Sequence, residues 1–120
     1  MSTQLVDDRQ AALRVGYEAT DWRVPMDETT FRMCMEGWQV QALMRDNKII
    51  GAVFRRGDEL HLSILPGWRC RWATKGLLRQ LFGNRITRTR VTPGHEHYMH
   101  DILARLGFVQ LPDGEFVKGH

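Results

Sequence analysis

The sequence predicts a mixed α/β fold in one domain, because its hydrophobic period changes along the chain. Between residues 38 and 64, apolar side chains alternate with polar ones in three short runs, the pattern of β-strands with one buried face. The turns "RDNK" and "RRGD" separate these runs by few residues, so neighbouring strands should be antiparallel. From residue 68 onward the apolar spacing is helical, and a β-rich run and another helical segment follow.

Two helices are predicted before the first strand of this series. The segment from about Gln4 to Ala19 is rich in residues that favour helix. In the next segment, "DETTFRMCMEG", Asp27 is suited to cap a helix start and Gly37 to end it. The alternating runs "WQVQALM", "IIGAVF" and "LHLSI" then predict an antiparallel meander.

The second half of the chain predicts a crossover between parallel strands. A basic amphipathic helix is expected over residues 68–82, and the β-rich run "RITRTRV" follows it. The strands near Leu60–Leu65 and Ile86–Val91 should therefore be parallel, since a helix connects them. Two further elements complete the order: a helix in "PGHEHYMHDILARLGF" that ends at Gly107, and a hairpin around Asp113–Gly114.

Length and composition limit the classes of protein to be considered. The 120 residues, 42% of them hydrophobic, are enough for one core, so residues 1–120 are expected to form a single domain. No leader or membrane-spanning stretch is recognisable, which predicts a cytoplasmic protein, and the two cysteines lack the spacing of a disulfide framework or zinc site. The net charge of +3 favours anionic partners but falls well short of a dedicated nucleic-acid binder.

Two motifs in this order of elements carry a family resemblance. In "LSILPGWRCRWATKGLLRQLF" a strand ends near a proline, a loop follows, and a leucine-rich helix begins; "DILARLGFVQ" closes a later helix on "LGF". With these motifs, most of the chain resembles the GNAT superfamily of N-acyltransferases. That family has a Q/R-x-x-G-x-G/A loop at the first motif, and here Arg69 stands at its first position.

The resemblance implies a GNAT-like mixed, twisted central sheet with helices on both faces, and transfer of an acetyl group from acetyl-CoA to an amine. A helix N-terminus presents unpaired N–H groups and partial positive charge, which suit the pyrophosphate of coenzyme A. The amine acceptor is not identified by the sequence, and a protein partner or a second copy of the chain stays open. By position, the residues implied in cofactor binding are Ile64, Leu65, Arg69, Arg71, Trp72, Ala73, Thr74 and Lys75.

The loop departs from the family pattern at both glycine positions. Trp72 and Thr74 stand there, and an indole and a Cβ would fill the space that the phosphates occupy. Alternatively, Trp68 or Trp72 points inward as part of the core, which leaves the N–H groups of residues 71–75 and the basic side chains facing a phosphate. The first case predicts a degenerate cofactor loop with low or residual activity.

The catalytic residues depart from the family pattern as well. Leu103 stands where many members have a tyrosine that protonates the departing thiolate. A carboxylate, histidine or water near the central strand is often the base, and Glu59, His61 and Ser63 share one strand face here. His61 is the best candidate base, and the alternative is that the three residues are simply the solvated face of a sheet.

A non-catalytic protein with the same fold is the second interpretation. Small GNAT-like proteins of short-tailed bacteriophages, including internal virion proteins, resemble this chain in their compactness, their "WR" after the central strand, their non-glycine loop and their leucine at the tyrosine position. That resemblance implies a structural or regulatory virion component. No metal site is predicted, because only two of His95, His97 and His100 would share a helical face.

Overall fold

A computed structural model of the chain describes residues 3–20, 25–69, 71–82, 87–90 and 96–119, with the backbone alone for residues 75 and 96–98. The described residues form seven strands, four α-helices and one 3-10 turn. In chain order these are β1 (Gln4–Val6), α1 (Arg9–Ala19), α2 (Glu28–Cys34), β2 (Gln39–Arg45), β3 (Lys48–Arg56), β4 (Glu59–Ile64), the 3-10 turn Pro66–Trp68, α3 (Lys75–Phe82), β5 (Thr87–Thr89), α4 (Glu96–Arg105), β6 (Val109–Gln110) and β7 (Phe116–Lys118).

The strands form one mixed sheet in the order β1-β2-β3-β4-β5-β7-β6. The pairs from β1 to β4 are antiparallel, whereas β4 and β5 are parallel, with Glu59 opposite Arg88. The prediction of parallel strands joined by a helical crossover is confirmed, although β5 is described only over Thr87–Thr89 and positions 86 and 91 lie outside the described residues. The predicted terminal hairpin is confirmed as the antiparallel pair β6–β7.

Helices cover both faces of the sheet, as the mixed fold predicted. Side chains of α1 and α2 pack on one face, and side chains of α3, α4 and the loop before α3 pack on the other. The first group contains Ala12, Leu13, Phe31, Val40, Ala42, Ala52 and Phe54, and the second contains Leu43, Ile50, Val53, Leu60, Ile64, Trp72, Leu77, Leu81, Phe82, Leu103, Phe108 and Phe116.

The predicted N-terminal helix is wrong at its start. Residues Gln4–Val6 form β1, which pairs with β2, and α1 begins only at Arg9. Asp8 caps the helix, since its Oδ1 accepts a hydrogen bond of 3.1 Å from the N–H of Ala11. Helix propensity is a weak local preference, and pairing with the edge of β2 overrides it in the first residues.

The helix predicted over residues 68–82 is also shorter than expected. A 3-10 turn covers Pro66–Trp68, and α3 begins at Lys75, with the carbonyl of Thr74 accepting the first helical hydrogen bond from Leu78. Between them the chain carries Trp72 into the core. If the helix were continuous, the indole of Trp72 would lie on its outer surface. The irregular segment before α3 instead allows this ring to reach the core.

The other helix boundaries agree with the predictions. Asp27 caps α2, and its Oδ1 accepts a hydrogen bond of 2.7 Å from the N–H of Thr30, which lowers the pKa of Asp27. Gly37 and Gly107 have φ of +85° and +91°, the left-handed conformation that ends helices. In the part of the chain that the structure describes, no helix has the length and apolar character needed to cross a bilayer.

Candidate functional site

The first half of β4 carries two hydrogen-bonded side chains on the face that α1 and α2 cover. Glu59 lies opposite Arg56 and His61 lies opposite Phe54 in the register with β3. Nε2 of His61 is 2.6 Å from Oε2 of Glu59. This hydrogen bond is the main cause that lowers the pKa of Glu59, and the charges of His61, Arg56 and Arg88 lower it further against the opposing effect of burial.

The pairing has a chemical consequence for the imidazole. A neutral histidine that donates from Nε2 to a carboxylate keeps the lone pair of Nδ1 as a proton acceptor. Glu59 and His61 are both about one-third exposed, at 31% and 36% of their side-chain surface, so solvent and solutes reach them. Ser63, the third residue of the predicted set, is half-buried two positions further along β4 on the same face.

The second half of β4 directs some of its backbone groups away from β3. The N–H of Leu65 donates to the carbonyl of Ile50 in β3, and the N–H of Arg88 in β5 donates to the carbonyl of Asp58. Because successive residues of a strand direct their backbone groups to opposite sides, the backbone groups of Leu62 and Ile64 are directed towards β5. Among the described residues, β5 pairs with β4 only at Glu59, so this part of the edge has no strand partner there.

Arg69 joins the end of β4 to the end of α1. Its Nε donates to the carbonyl of Ile64 at 3.1 Å, and its Nη2 donates to the carbonyl of Ala19 at 3.2 Å. Both partners are main-chain carbonyls, and the one in Ala19 belongs to the last turn of α1, which lacks intrahelical donors for such groups. The guanidinium that was predicted to face a phosphate thus holds two structural elements together.

Trp72 is only 2% exposed and packs in the core beneath α3. Of the two alternatives that the sequence left open for this residue, the structure takes the inward one. The N–H groups of the first turn of α3, from Lys75 to Leu77, have no intrahelical acceptor, as at the start of any α-helix. The helix start therefore has backbone donors without intrahelical acceptors, and the indole of Trp72 belongs to the core.

The remaining predicted loop residues have different surroundings. Arg71 is exposed, with Cζ 4.2 Å from the ring centre of Trp68, and it donates a hydrogen bond of 3.1 Å to the carbonyl of Gly67. Ala73 is exposed, and the Oγ1 of Thr74 accepts a hydrogen bond of 3.3 Å from the N–H of Thr3. The side chain of Lys75 lies outside the described residues.

Position 103, where the family places a tyrosine, belongs to the core in this structure. Leu103 is 4% exposed and lies among the apolar side chains on the α3 and α4 face of the sheet. Its side chain has no proton to donate to a leaving group. His95 and the side chain of His97 lie outside the described residues, and among the described residues no group of three potential metal ligands is found.

Two residues beside the His61–Glu59 pair were not predicted from the sequence, Trp38 and Arg56. Cζ of Arg56 lies 4.4 Å from the ring centre of Trp38, and the rings of Trp38 and His61 are 5.7 Å apart. The hairpin sequence "QVQALMRDNKIIGAVFRR" indicates that Trp38 lies opposite position 55 or 56. The register shift between Leu43 and Met44 places Arg56 there, and the sequence alone does not show this shift.

Solved structures of low sequence identity share this fold. A GCN5-related N-acetyltransferase from Rhodopseudomonas palustris superposes with a TM-score of 0.64 at 15% identity, over 99% of this chain and 95% of its own. The ribosomal-protein-S18-alanine N-acetyltransferase from Escherichia coli gives 0.62 at 16% identity over 96% and 90%. A PaiA N-acetyltransferase from Thermoplasma acidophilum, solved in complex with coenzyme A, gives 0.57 at 14% identity over 98% and 97%.

These likenesses establish the class of fold. The chain has the fold of the GNAT N-acetyltransferases, as the two sequence motifs indicated. No protein-family model matches the sequence, and no curated protein is significantly similar to it. At such low identity the shared feature is the scaffold, and the chemistry has to be argued from the residues of the site.

Proposed function

We propose that this protein is an acyl-CoA-dependent N-acyltransferase that transfers an acetyl group to an amine. The observation that carries the proposal is the juxtaposition at the end of β4. There, the edge of β4 at Leu62 and Ile64, which no described strand residue pairs with, lies directly before a loop that leads into the N-terminus of α3. A strand edge is suited to hold the amides of a pantetheine arm, and a helix start is suited to hold phosphates.

The contacts of the loop leave only some of the predicted cofactor-binding groups available to a ligand. The N–H of Leu65 is engaged with Ile50, and the carbonyl of Ile64 accepts from Arg69, so we assign the pantetheine contacts to Leu62 and to the N–H of Ile64. Because the ring of Trp72 is in the core, its indole does not cover the backbone that would contact the pyrophosphate. We assign that contact to the N–H groups from Ala73 to Leu77, with Arg71 beside them.

Acetyl-CoA would supply an activated acetyl group to this site. Within the protein, Nδ1 of His61 takes the proton that the attacking amine loses, while Nε2 stays bonded to Glu59. The carboxylate fixes the tautomer and stabilises the imidazolium that results. We place Ser63 on the same face, where its hydroxyl supports bound water near the reacting groups. Because Leu103 cannot donate a proton, turnover is expected in the lower part of the usual enzyme range.

Thermal unfolding with acetyl-CoA tests the proposal directly. Ligand at a hundred times its Kd is expected to add about 2.7 kcal/mol to the free energy of unfolding. The change Arg71→Ala should weaken binding by about 1 to 3 kcal/mol, because a charge-assisted contact is lost. Arg79→Ala is the matched control, since Arg79 is also exposed but lies in the last turn of α3. Absence of any shift at millimolar acetyl-CoA would contradict the proposal.

The role of His61 is tested separately by kinetics. A positioned acid or base typically contributes about 10²- to 10⁴-fold, so His61→Ala should lower kcat by a factor in this range. Affinity for acetyl-CoA should change little, because the side chain of His61 lies on the α1 and α2 face of β4 and not in the loop before α3. An unchanged kcat would remove His61 from the mechanism.

A non-catalytic GNAT-fold protein, such as a virion component of a bacteriophage, is the second candidate. The burial of Leu103 and the structural bonds of Arg69 favour it, because both positions serve the core or the framework here. Purified protein that neither binds acetyl-CoA nor acetylates amines, yet is recovered from virions, would support this candidate against the first.

A further inference from the structure

A cluster of four side chains lies on the α1 and α2 face at the start of β4, and we call it the Trp38 cluster. Arg56 stands over the ring of Trp38 at 4.4 Å, and its Nη2 is 3.7 Å from Oε1 of Glu59. The other carboxylate oxygen of Glu59 is bonded to His61, whose ring is 5.7 Å from that of Trp38. An aromatic face and a carboxylate thus contact one cationic group, and the imidazole of His61 lies beside both of them.

The members of the Trp38 cluster differ in how firmly they are held. Trp38 packs against the core of this face, and its carbonyl accepts a hydrogen bond of 2.7 Å from Nη1 of Arg9. Arg56 is 61% exposed, and its contact with Glu59 is longer than a well-formed hydrogen bond. Exposed contacts of a long, flexible side chain are weak. The aromatic ring and the carboxylate are therefore preformed, while the guanidinium is displaceable.

The geometry points to a binding site for a primary alkylammonium ion on the face of Trp38 beside Glu59, with Arg56 as the built-in competitor for that place. The inference rests on the proposed function, because the ion would be the protonated form of the acceptor amine. A neutral amine has no reason to prefer this place, whereas a cation gains both the aromatic face and the carboxylate. The site would thus select acceptors by their charge.

The position of the site suits the transfer reaction. An ammonium ion held there lies beside His61, whose Nδ1 can take one of its protons; the N–H bond breaks, and the electron pair stays on nitrogen as the nucleophilic lone pair. The other cation near Glu59 is Arg88, which is engaged with Asp58 at 2.9 Å and with Glu115 at 3.5 Å. Arg56 is therefore the group that a bound cation has to replace.

The molecule contains a matched control for this arrangement. Arg71 stands over the ring of Trp68 at 4.2 Å, almost as Arg56 stands over Trp38. Within the described residues, Arg71 is bonded to the carbonyl of Gly67, and no ion pair joins it to a carboxylate. At Trp68 a cation would thus contact only an aromatic face. At Trp38 it would contact an aromatic face and a carboxylate.

The experiment follows the indole N–H resonances by NMR during titration with butylammonium chloride, with 1-butanol and sodium chloride as controls. The Trp38 resonance is identified from its loss in Trp38→Phe. We expect it to move with butylammonium and not with the controls. Arg56→Ala should lower the Kd of butylammonium by about three- to fivefold, as expected when one exposed cation–π competitor is removed. Glu59→Gln should raise the Kd, and Arg71→Ala should leave it unchanged.

Three outcomes would overturn the inference: a Trp38 resonance that does not move in the parent or in Arg56→Ala, an equal movement with 1-butanol, or equal binding at Trp68 in Arg71→Ala. Because no acetyl-CoA is present, the result is independent of acyl transfer. Butylamine acetylation is then measured separately, and Arg56→Ala should lower its KM with kcat unchanged. Cation binding with neither acetyl-CoA binding nor acetylation would refute the proposed function and leave a cation site that is not an acceptor site, whereas acetylation without cation binding would refute this inference alone.

Discussion

The two halves of β4 present different parts of the chain to a ligand. At its start, Glu59 and His61 present paired side chains on the face covered by α1 and α2. At its end, Leu62 and Ile64 direct backbone groups to an edge that no described strand residue pairs with, and two of the side chains that follow are engaged within the protein. Trp72 lies in the core and Arg69 bonds two main-chain carbonyls.

Under the proposed function, this difference would explain how the loop could bind a cofactor without the glycines of the family pattern. Backbone N–H groups at a helix start are available whatever the side chains are, provided that those side chains are placed elsewhere. In this chain the indole of Trp72 is buried in the core, and the guanidinium of Arg69 is bonded to the carbonyls of Ile64 and Ala19. At the start of β4, by contrast, the proposed chemistry depends on the side chains themselves.

Removing the indole of Trp72 should have the largest effect on the framework of the loop. Trp72→Ala is expected to lower the free energy of unfolding by about 3 to 5 kcal/mol, since it leaves a cavity in the core. Trp68→Ala is the control, because Trp68 is half-buried and lies beside exposed Arg71. Urea denaturation measures both. Equal losses in the two variants would contradict the distinction between the fully buried Trp72 and the half-buried Trp68.

Removing the guanidinium of Arg69 should have the second-largest effect on stability. Arg69→Met keeps the aliphatic volume but removes both hydrogen bonds, to Ile64 and to Ala19, and we expect a loss of about 2 to 3 kcal/mol in urea denaturation. Arg71→Met should change stability by less than about 0.5 kcal/mol, because Arg71 is exposed. If Arg71→Met proves the more destabilising of the two, the structural role of Arg69 is wrong.

A glycine in β3 should be sensitive because of the close approach of β4. A Cβ on Gly51 would lie 2.6 Å from the carbonyl oxygen of Ser63 and 2.8 Å from Cδ1 of Ile64, so Gly51→Ala has to displace the end of β4. We expect a loss of about 1 to 2 kcal/mol. Gly76→Ala is the control, since a Cβ there would meet nothing within 4 Å and alanine favours helix by up to about 1 kcal/mol. Thermal unfolding that ranks these variants in the reverse order would contradict the close contact.

The smallest effect is expected at the side-chain end of β4, and it depends on pH. The lowered pKa of Glu59 means that its carboxylate stabilises the folded state above the ordinary glutamate range, and that this contribution is lost as the pH falls through the lowered value. Glu59→Gln should therefore be less stable than the parent by up to about 1 kcal/mol near pH 7, and the difference should shrink towards about pH 3.

Urea denaturation over this pH series provides the measurement. The single variant His61→Phe and the double variant complete a cycle that isolates the pair, because the hydrogen bond to His61 is the main cause of the lowered pKa of Glu59. Near pH 7, Glu59→Gln should cost less stability in the His61→Phe background than in the parent. A difference between parent and Glu59→Gln that grows on acidification would reverse the assigned sign.

Much of the fold was accessible from local patterns. Alternation placed β2, β3 and β4, the caps at Asp27 and Gly37 bounded α2, and the helical crossover made β4 and β5 parallel. Of the candidate site, the face of Glu59, His61 and Ser63 followed from strand periodicity. The short strand β1 was missed because three residues carry too little pattern to outweigh the helix propensity of the residues after them.

By itself, the sequence determined most of the strands and helices and which residue types line each strand face, because these follow from periods of two and 3.6 residues along a local stretch. Tertiary structure alone decided the partners. The register shift between Leu43 and Met44 sets Arg56 rather than Arg55 over Trp38, and Arg69 bonds the carbonyl of Ala19 across 50 positions. Such contacts depend on the packing of distant segments, and no local period encodes them.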